Sequence, residues 1–444
     1  MARRTQHSIS AQQAPSSQQA PSPQAAGASV TEASLKAGSK ASPSVRRRIW
    51  QSPELHDSDS GRTVNWLELF FDLFFVAVIA ELVHSLAADP TLPGLLKFMF
   101  LFVPVWWVWV GDTFYTERFE TEGVEMRVYI YLLMLPMIGM AVSAHHAMTT
   151  SYTGFALSYA AARLVITLMW AWATVASERF RPVGKRYVPT FVLSIILVSL
   201  STLVPAPARL WVFGLGLVIE VLAPLTTVRL QADLPPYSCR KLPKRFGLFT
   251  IIVLGEMVIG IVNGLSELDE VSLALFAYVA LGVAIGFGLW WLYFDFIGRR
   301  QPKQGVWTFV WTYLHLPFVM AIGALSAGIT HVVDAQKIIE PNVQTLIGGC
   351  VGVILVTLAL LELTLQRAAD EPTHKTLSPL LKAGTGVLAF VFSFTFLDLY
   401  PTTFLVTLSA LLLTNMSYGL WVWYKQPIQE TSGQATFNPH ELPL

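Results

Sequence analysis

Asp72 and Glu256 stand in stretches that are otherwise apolar, Asp72 within WLELFFDLFFVAVIAELVHSL and Glu256 near the middle of FGLFTIIVLGEMVIG. An ionised carboxylate in hydrocarbon costs a few kcal/mol even on lenient scales, so such a residue is retained to be paired, protonated or bound to an ion. The chemistry these positions point to is proton or cation binding. Glu68, one turn before Asp72, lies about 40° from it around a helix and joins it on one face. Its place in a first helical turn also suits a capping charge. Glu220 is a fourth candidate. Arg163, inside YAAARL, is the cation available to either Glu220 or Glu256, and the sequence leaves that choice open. A bridge to either would fix helix packing without any ligand. His315, in YLHLP, is a candidate tuning group beside Pro317, whose ring loosens a helix and frees carbonyls. The bland alternative is a neutral histidine bonded to a neighbouring helix. Glu81 and His84 occupy roughly the opposite face from Glu68 and Asp72, an arrangement that suits a helix surrounded by protein.

The elements that position these residues follow from length and hydropathy. With 53% of its 444 residues hydrophobic and 13% charged, the chain cannot cover a water-soluble surface. From Asn65 onward, apolar stretches of roughly 17 to 25 residues alternate with short polar loops, the length that crosses a bilayer as a helix. Twelve are expected: 66–87, 95–114, 127–148, 152–176, 188–205, 209–229, 247–264, 272–296, 307–330, 344–366, 383–400 and 402–424. The fold class is therefore all-α, a polytopic transmembrane helix bundle. With the N-terminal tail cytoplasmic, 17 of the 30 basic residues fall in inner loops and only Lys97, Arg209 and Lys337 in outer ones. That bias predicts N- and C-termini in the cytosol and a plasma (inner) membrane location. Residues 1–62, rich in Ser, Ala, Gln and Pro, are expected to form a disordered cytoplasmic tail, 63–426 the transmembrane domain, and 427–444 a short polar C-terminal tail. Trp106-Trp107, Asp112 and Leu135-Pro136 recur as Trp290-Trp291, Asp295 and Leu316-Pro317. This is a faint parallel repeat, giving candidate halves 63–240 and 241–426 of six helices each.

Other chemistries find little support. Glu81-x-x-His84 has the spacing of helical di-iron ligands, but no second ExxH occurs, and there is no HExxH helix, Walker A loop or GxSxG elbow. No metal or cofactor is expected. Cys239 and Cys350 stand far apart without a CxxC spacing. A net charge of +1 argues against a nucleic-acid partner. The expected partner is the lipid bilayer, with a proton, cation or small molecule as substrate. Oligomeric state is not encoded.

The chain resembles the bacterial low temperature requirement A family of multi-pass membrane proteins. The resemblance is carried by the 66–86 segment quoted above, Arg118-Phe119-Glu120-Thr121-Glu122, Arg163 in YAAARL, RFGLFTIIVLGE ending at Glu256, WWLYFD ending at Asp295, and YLHLPFV around His315. It spans about Asn65 to at least Ile329. It implies that Glu68, Asp72, His84, Arg118, Arg163, Arg245, Glu256, Asp295 and His315 are motif positions. It also implies that Arg118, Glu120, Glu122, Arg245 and Asp295 gather at a cytoplasmic mouth. The sequence departs from the family at Glu81, where an amide is frequent, and at Lys241-Leu242-Pro243-Lys244-Arg245, where the family has His-x-x-Glu-Arg. The family name implies a link to growth in the cold and no reaction.

Together these readings favour a proton- or cation-linked secondary transporter or ion-translocating protein, with Asp72 and Glu256 as the binding carboxylates and Arg163 and His315 tuning them. The alternatives are a membrane-embedded enzyme or lipid-modifying factor, and a structural membrane factor for growth at low temperature.

Overall fold

A computed structural model of the chain describes residues 50–56, 64–119, 121, 123–238, 240–266, 273–334, 339–367, 371–395 and 400–425. Among them are thirteen α-helices and no strand, only an isolated bridge between Pro302 and Leu365. In chain order they are α1 Trp66–Ala88, α2 Leu92–Phe119, α3 Val124–Ala144, α4 Tyr152–Ala176, α5 Arg181–Ser201, α6 Ala208–Thr226, the single turn α7 Val228–Gln231, α8 Lys241–Ser266, α9 Leu273–Tyr293, α10 Val306–Asp334, α11 Pro341–Thr364, α12 Leu377–Ser393 and α13 Pro401–Tyr424. A π-helical turn, Phe294–Gly298, continues α9. Eleven of these helices are long and apolar enough to cross a membrane, and α12, at 17 residues, is a shorter apolar helix. The protein is a multi-pass membrane-spanning helix bundle.

Every expected span has its helix, and several helices take in charged residues expected in loops, while α3, α5 and α6 end a turn or so early. Where charge was read as loop, the helix runs on: α2 extends through Arg118, α5 begins at Arg181, α8 at Lys241 and α12 at Leu377, ahead of Lys382. The segment expected at 383–400 is thus displaced, with α12 ending at Ser393. The physical reason is that Lys241, Arg245 and Lys382 are buried against acids of neighbouring helices, so their helices need not stop at them.

The start of α1 is fixed by a capping box: Asn65 accepts from Leu67 N (3.2 Å), and Glu68 accepts from Asn65 N (3.1 Å). The start of α8 is held by Ser238, whose hydroxyl accepts from Lys241 N at 3.0 Å while its own N–H is donated to Glu117 of α2 at 2.6 Å. Such caps satisfy orphan N–H groups that hydrocarbon cannot. Helix α1 packs against α2, α3, α8 and α10, which makes it central. Residues 50–56, within the expected disordered tail, lie against the bundle, with Gln51 N donating to Glu125 and His56 N to the Arg118 carbonyl, both at 3.1 Å. Residues 1–49, 57–62 and 427–444 lie outside the described residues, as does Cys239. The repeat positions have unlike surroundings: Trp106, Trp107 and Asp112 are buried, whereas Trp290 and Asp295 are exposed.

Candidate functional site

The first turns of α1 and α8 and the last three turns of α2 meet at one end of the bundle, and each brings charge. Lys241 Nζ lies 2.9 Å from Glu68 Oε1. Arg245 Nη2 is 3.3 Å from both Asp72 Oδ1 and Asp112 Oδ2, and 3.2 Å from Thr113 Oγ1. Arg245 Nη1 is 3.8 Å from Glu68 Oε2. The indole N–H of Trp109 donates to Asp72 Oδ1 at 3.1 Å, and its ring lies 5.7 Å from the guanidinium. Glu68, Asp72, Asp112, Lys241 and Arg245 are each at most 4% exposed.

Three carboxylates thus face two cations. With all five charged, one negative charge is left over among the described residues, in a site where no bulk water screens it. The second oxygen of Asp72 has no hydrogen-bond partner among the described residues. The Tyr129 hydroxyl of α3 faces Asp112 and is placed to donate to it. A proton or a small cation is what such a site can take up. Asp112, Lys241 and Trp109 belong to this site although the sequence argument assigned them no chemistry. Asp112 stood out only as a repeat position, and Lys241 as loop charge.

Arg163 is elsewhere. From α4 it pairs with Glu220 of α6 through both Nε and Nη2 to Oε1, while Tyr159 and Ser194 each donate to Oε2 at 2.9 Å. The choice between Glu220 and Glu256 therefore falls to Glu220, and Arg163 does not tune Asp72 or Glu256. Glu256 stands eleven residues after Arg245, about 20° around α8 and about 16 Å along it. It is 5% exposed, and its Oε2 lacks a partner. Phe249 and Val253, both buried, fill the stripe of α8 between the two, so the structure does not bring Asp72 and Glu256 together.

His315 is enclosed by Phe246, Trp311, Tyr293 and Phe318 and uses both ring nitrogens, Nδ1 to the Trp311 carbonyl (2.8 Å) and Nε2 to the Tyr293 hydroxyl (3.1 Å). It touches no carboxylate among these contacts, so its placement is that of a packed, hydrogen-bonded histidine. Glu81 and His84 are exposed on the outer surface of α1, with His84 against the His145 ring. They do not face protein as expected. They lie within the last two turns, where a polar tip can reach the interface. Among the described residues no group of three or more His, Cys, Asp and Glu is placed to hold a metal.

Of the expected mouth residues, Arg245 is in the ionic site. Arg118 sits five residues beyond Thr113 and donates to the Pro235 carbonyl (3.1 Å) and Gln231 Oε1 (3.4 Å), with Tyr237 under its guanidinium. Burial raises the Tyr237 phenol above its usual range, Arg118 opposing. Asp295 is solvent-facing and pairs with Arg299 one turn on. Glu120 and Glu122 lie outside the described residues.

A further buried cluster joins α11 and α12. Glu362 Oε2 accepts from Lys382 Nζ and Ser378 Oγ, each at 2.9 Å, and Arg300 bridges Glu362 (3.6 Å) and Glu371 (3.5 Å).

Fold and site define a multi-pass α-helical membrane protein with an acid-rich ionic centre at one end of its bundle. Residues 63–417 match the family model described as bacterial low temperature requirement A protein (LtrA), and the chain belongs to that family. It is similar to a protein of Rhizobium meliloti (strain 1021) described as uncharacterized protein RA0937, with 28% identity over 279 residues. That match covers 57% of this chain and 66% of the relative.

Proposed function

We propose that this protein is a proton- or cation-linked secondary transporter of the plasma (inner) membrane, with both termini cytoplasmic and the Glu68–Asp72–Asp112 centre as its ion-binding site. The observation that supports the reading is the surplus, among the described residues, of one carboxylate over Lys241 and Arg245 in a buried site. Surplus buried acid destabilises a purely structural joint, while a site that loads and releases a proton or cation uses it. Arg245 is the group whose attraction an incoming cation weakens, so occupancy of the acids is coupled to the contact between α1, α2 and α8. Glu256, on the same stripe of α8 beyond Phe249 and Val253, is a second station, and the apolar step between them closes the path in this conformation. The orientation rests on the 17-to-3 partition of basic residues.

The enzyme reading has less support, because His315 is caged and committed on both nitrogens. The test is proton flux into proteoliposomes loaded with a pH-sensitive dye, under imposed pH and cation gradients. The parent should move protons, and Asp72→Asn and Asp112→Asn should slow the flux at least about tenfold, as loss of an essential proton carrier does. No flux in the parent under any gradient sinks the transport reading. Parental flux in both variants sinks the assignment of the site.

A further inference from the structure

A second polar site lies on the other side of α2, among α2, α4, α5, α6 and α10, and it is short of acceptors. Its cavity offers about 40 Å³ to the centre of a water-sized sphere, room for roughly three waters or one compact ion. Arg163 reaches into it. Glu220 occupies one edge of that guanidinium, while Nη1, on a side chain 1% exposed, has no hydrogen-bond partner among the described residues and rests against Gly111. A Cβ at Gly111 would stand too close to Nη1 to be accommodated without a shift. Trp107 lines the same cavity, is 3% exposed, and its indole N–H is also without a partner among the described residues. Among those residues no carboxylate lines the cavity, and the rest of its wall is largely aromatic.

The way in also carries positive charge. A larger cavity of about 240 Å³, between the end of α2, the 228–237 segment and the start of α10, shares Tyr237 and Phe309 with the inner one. Arg118 lines it, and its hydrogen-bond acceptors there, the Pro235 carbonyl and Gln231 Oε1, are neutral. Glu220 offsets the charge of Arg163, and Arg118 places a guanidinium against Tyr237 at the entrance, with Glu117 acting on the same ring. Two unmet buried donors, no carboxylate, and a cation at the threshold select a guest that only accepts hydrogen bonds.

We propose that this cavity binds a compact monovalent anion, such as a halide, nitrate or formate, held by Arg163 Nη1 and the Trp107 N–H and admitted past Arg118. The site is separate from the acid centre, and its occupancy is read without any flux measurement. The experiment is the thermal unfolding midpoint of the full chain in detergent micelles, with chloride, bromide, nitrate or formate replacing gluconate at fixed ionic strength. The compact anions should raise the midpoint saturably relative to gluconate, which is too bulky for the cavity. Trp107→Phe, which keeps a ring but loses the N–H, should weaken the apparent affinity about tenfold, the worth of one charge-assisted hydrogen bond. Arg118→Gln, at the threshold, should weaken it as well. Equal midpoints in chloride and gluconate overturn the proposal and leave the cavity to water. Parental affinity in a folded Trp107→Phe overturns the assigned donor.

Discussion

The Arg163–Glu220 pair and the Arg245 centre are both ionic, both buried in the same bundle and both built from helices distant in sequence, yet they are composed differently. In the first, one cation meets one acid, and both acid oxygens are taken, by Arg163 and by the Tyr159 and Ser194 hydroxyls. In the second, three acids share two cations, and Asp72 Oδ2 is left without a partner among the described residues. The Glu362 cluster falls with the first kind, two acids against Lys382 and Arg300. Burial alone does not distinguish joinery from chemistry. For uptake of a proton or cation the local ratio of acids to bases does, because in a low-dielectric interior an unmatched acid is relieved by a proton or a cation.

The comparison can be broken by removing charges one at a time and measuring unfolding in micelles. The largest loss is expected for Arg163→Met, which strands Glu220 at 0% exposure and should cost about 3–5 kcal/mol. The double variant Arg163→Met with Glu220→Met should recover most of it. A double variant as damaged as the single one would mean that the pair does more than join α4 to α6. A smaller loss, about 1–3 kcal/mol, is expected for Glu362→Gln, since Lys382 keeps Ser378 and the Phe296 ring while Arg300 keeps Glu371. Smaller again is Asp112→Asn, which brings the Arg245 centre to two acids and two cations. Its stability should stay within about 1 kcal/mol of the parent, the range of changes that break no needed pair. A loss as large as that of Arg163→Met would show that the third acid is needed for folding, and the surplus argument would fail.

Sequence patterning carried the fold because apolar length is a local signal: each of the twelve expected spans corresponds to a helix. It carried the site less well. Glu68 and Asp72 share a buried face as their spacing predicts, but their partners Lys241 and Arg245 sit 173 residues further on in both cases, in a run that reads as loop charge until α1 is beside it. Asp112 follows three tryptophans in WWVWVGD and looks like an interfacial end, yet α2 continues to Phe119 and buries it. Arg163 showed the opposite failure. Its depth was legible, its partner was not, because Glu220 and Glu256 are equally apolar in context and only packing separates them.

The smallest effect belongs to a pair that water reaches, and it sharpens what burial adds. Asp89 and Lys97 lie 3.6 Å apart with side chains 39% and 49% exposed, at the opposite end of α1 from the ionic centre. The Thr91 hydroxyl donates to Asp89 at 2.6 Å and, with Lys97, holds its carboxyl below the ordinary carboxylate range. A carboxyl depressed in the folded state adds stability above its unfolded pKa, near pH 4, and that contribution disappears as pH falls through the folded value. Asp89→Asn should therefore lie slightly below the parent in unfolding midpoint near neutral pH. The gap should close on acidification below about pH 4, and added salt should narrow the part due to Lys97. In an exposed pair, solvent offsets whatever charge is unmatched, so neither partner's removal strands the other. A gap as wide as that of Glu362→Gln would mean that this end of the bundle excludes water, and the contrast between exposed and buried pairs would have to be redrawn there.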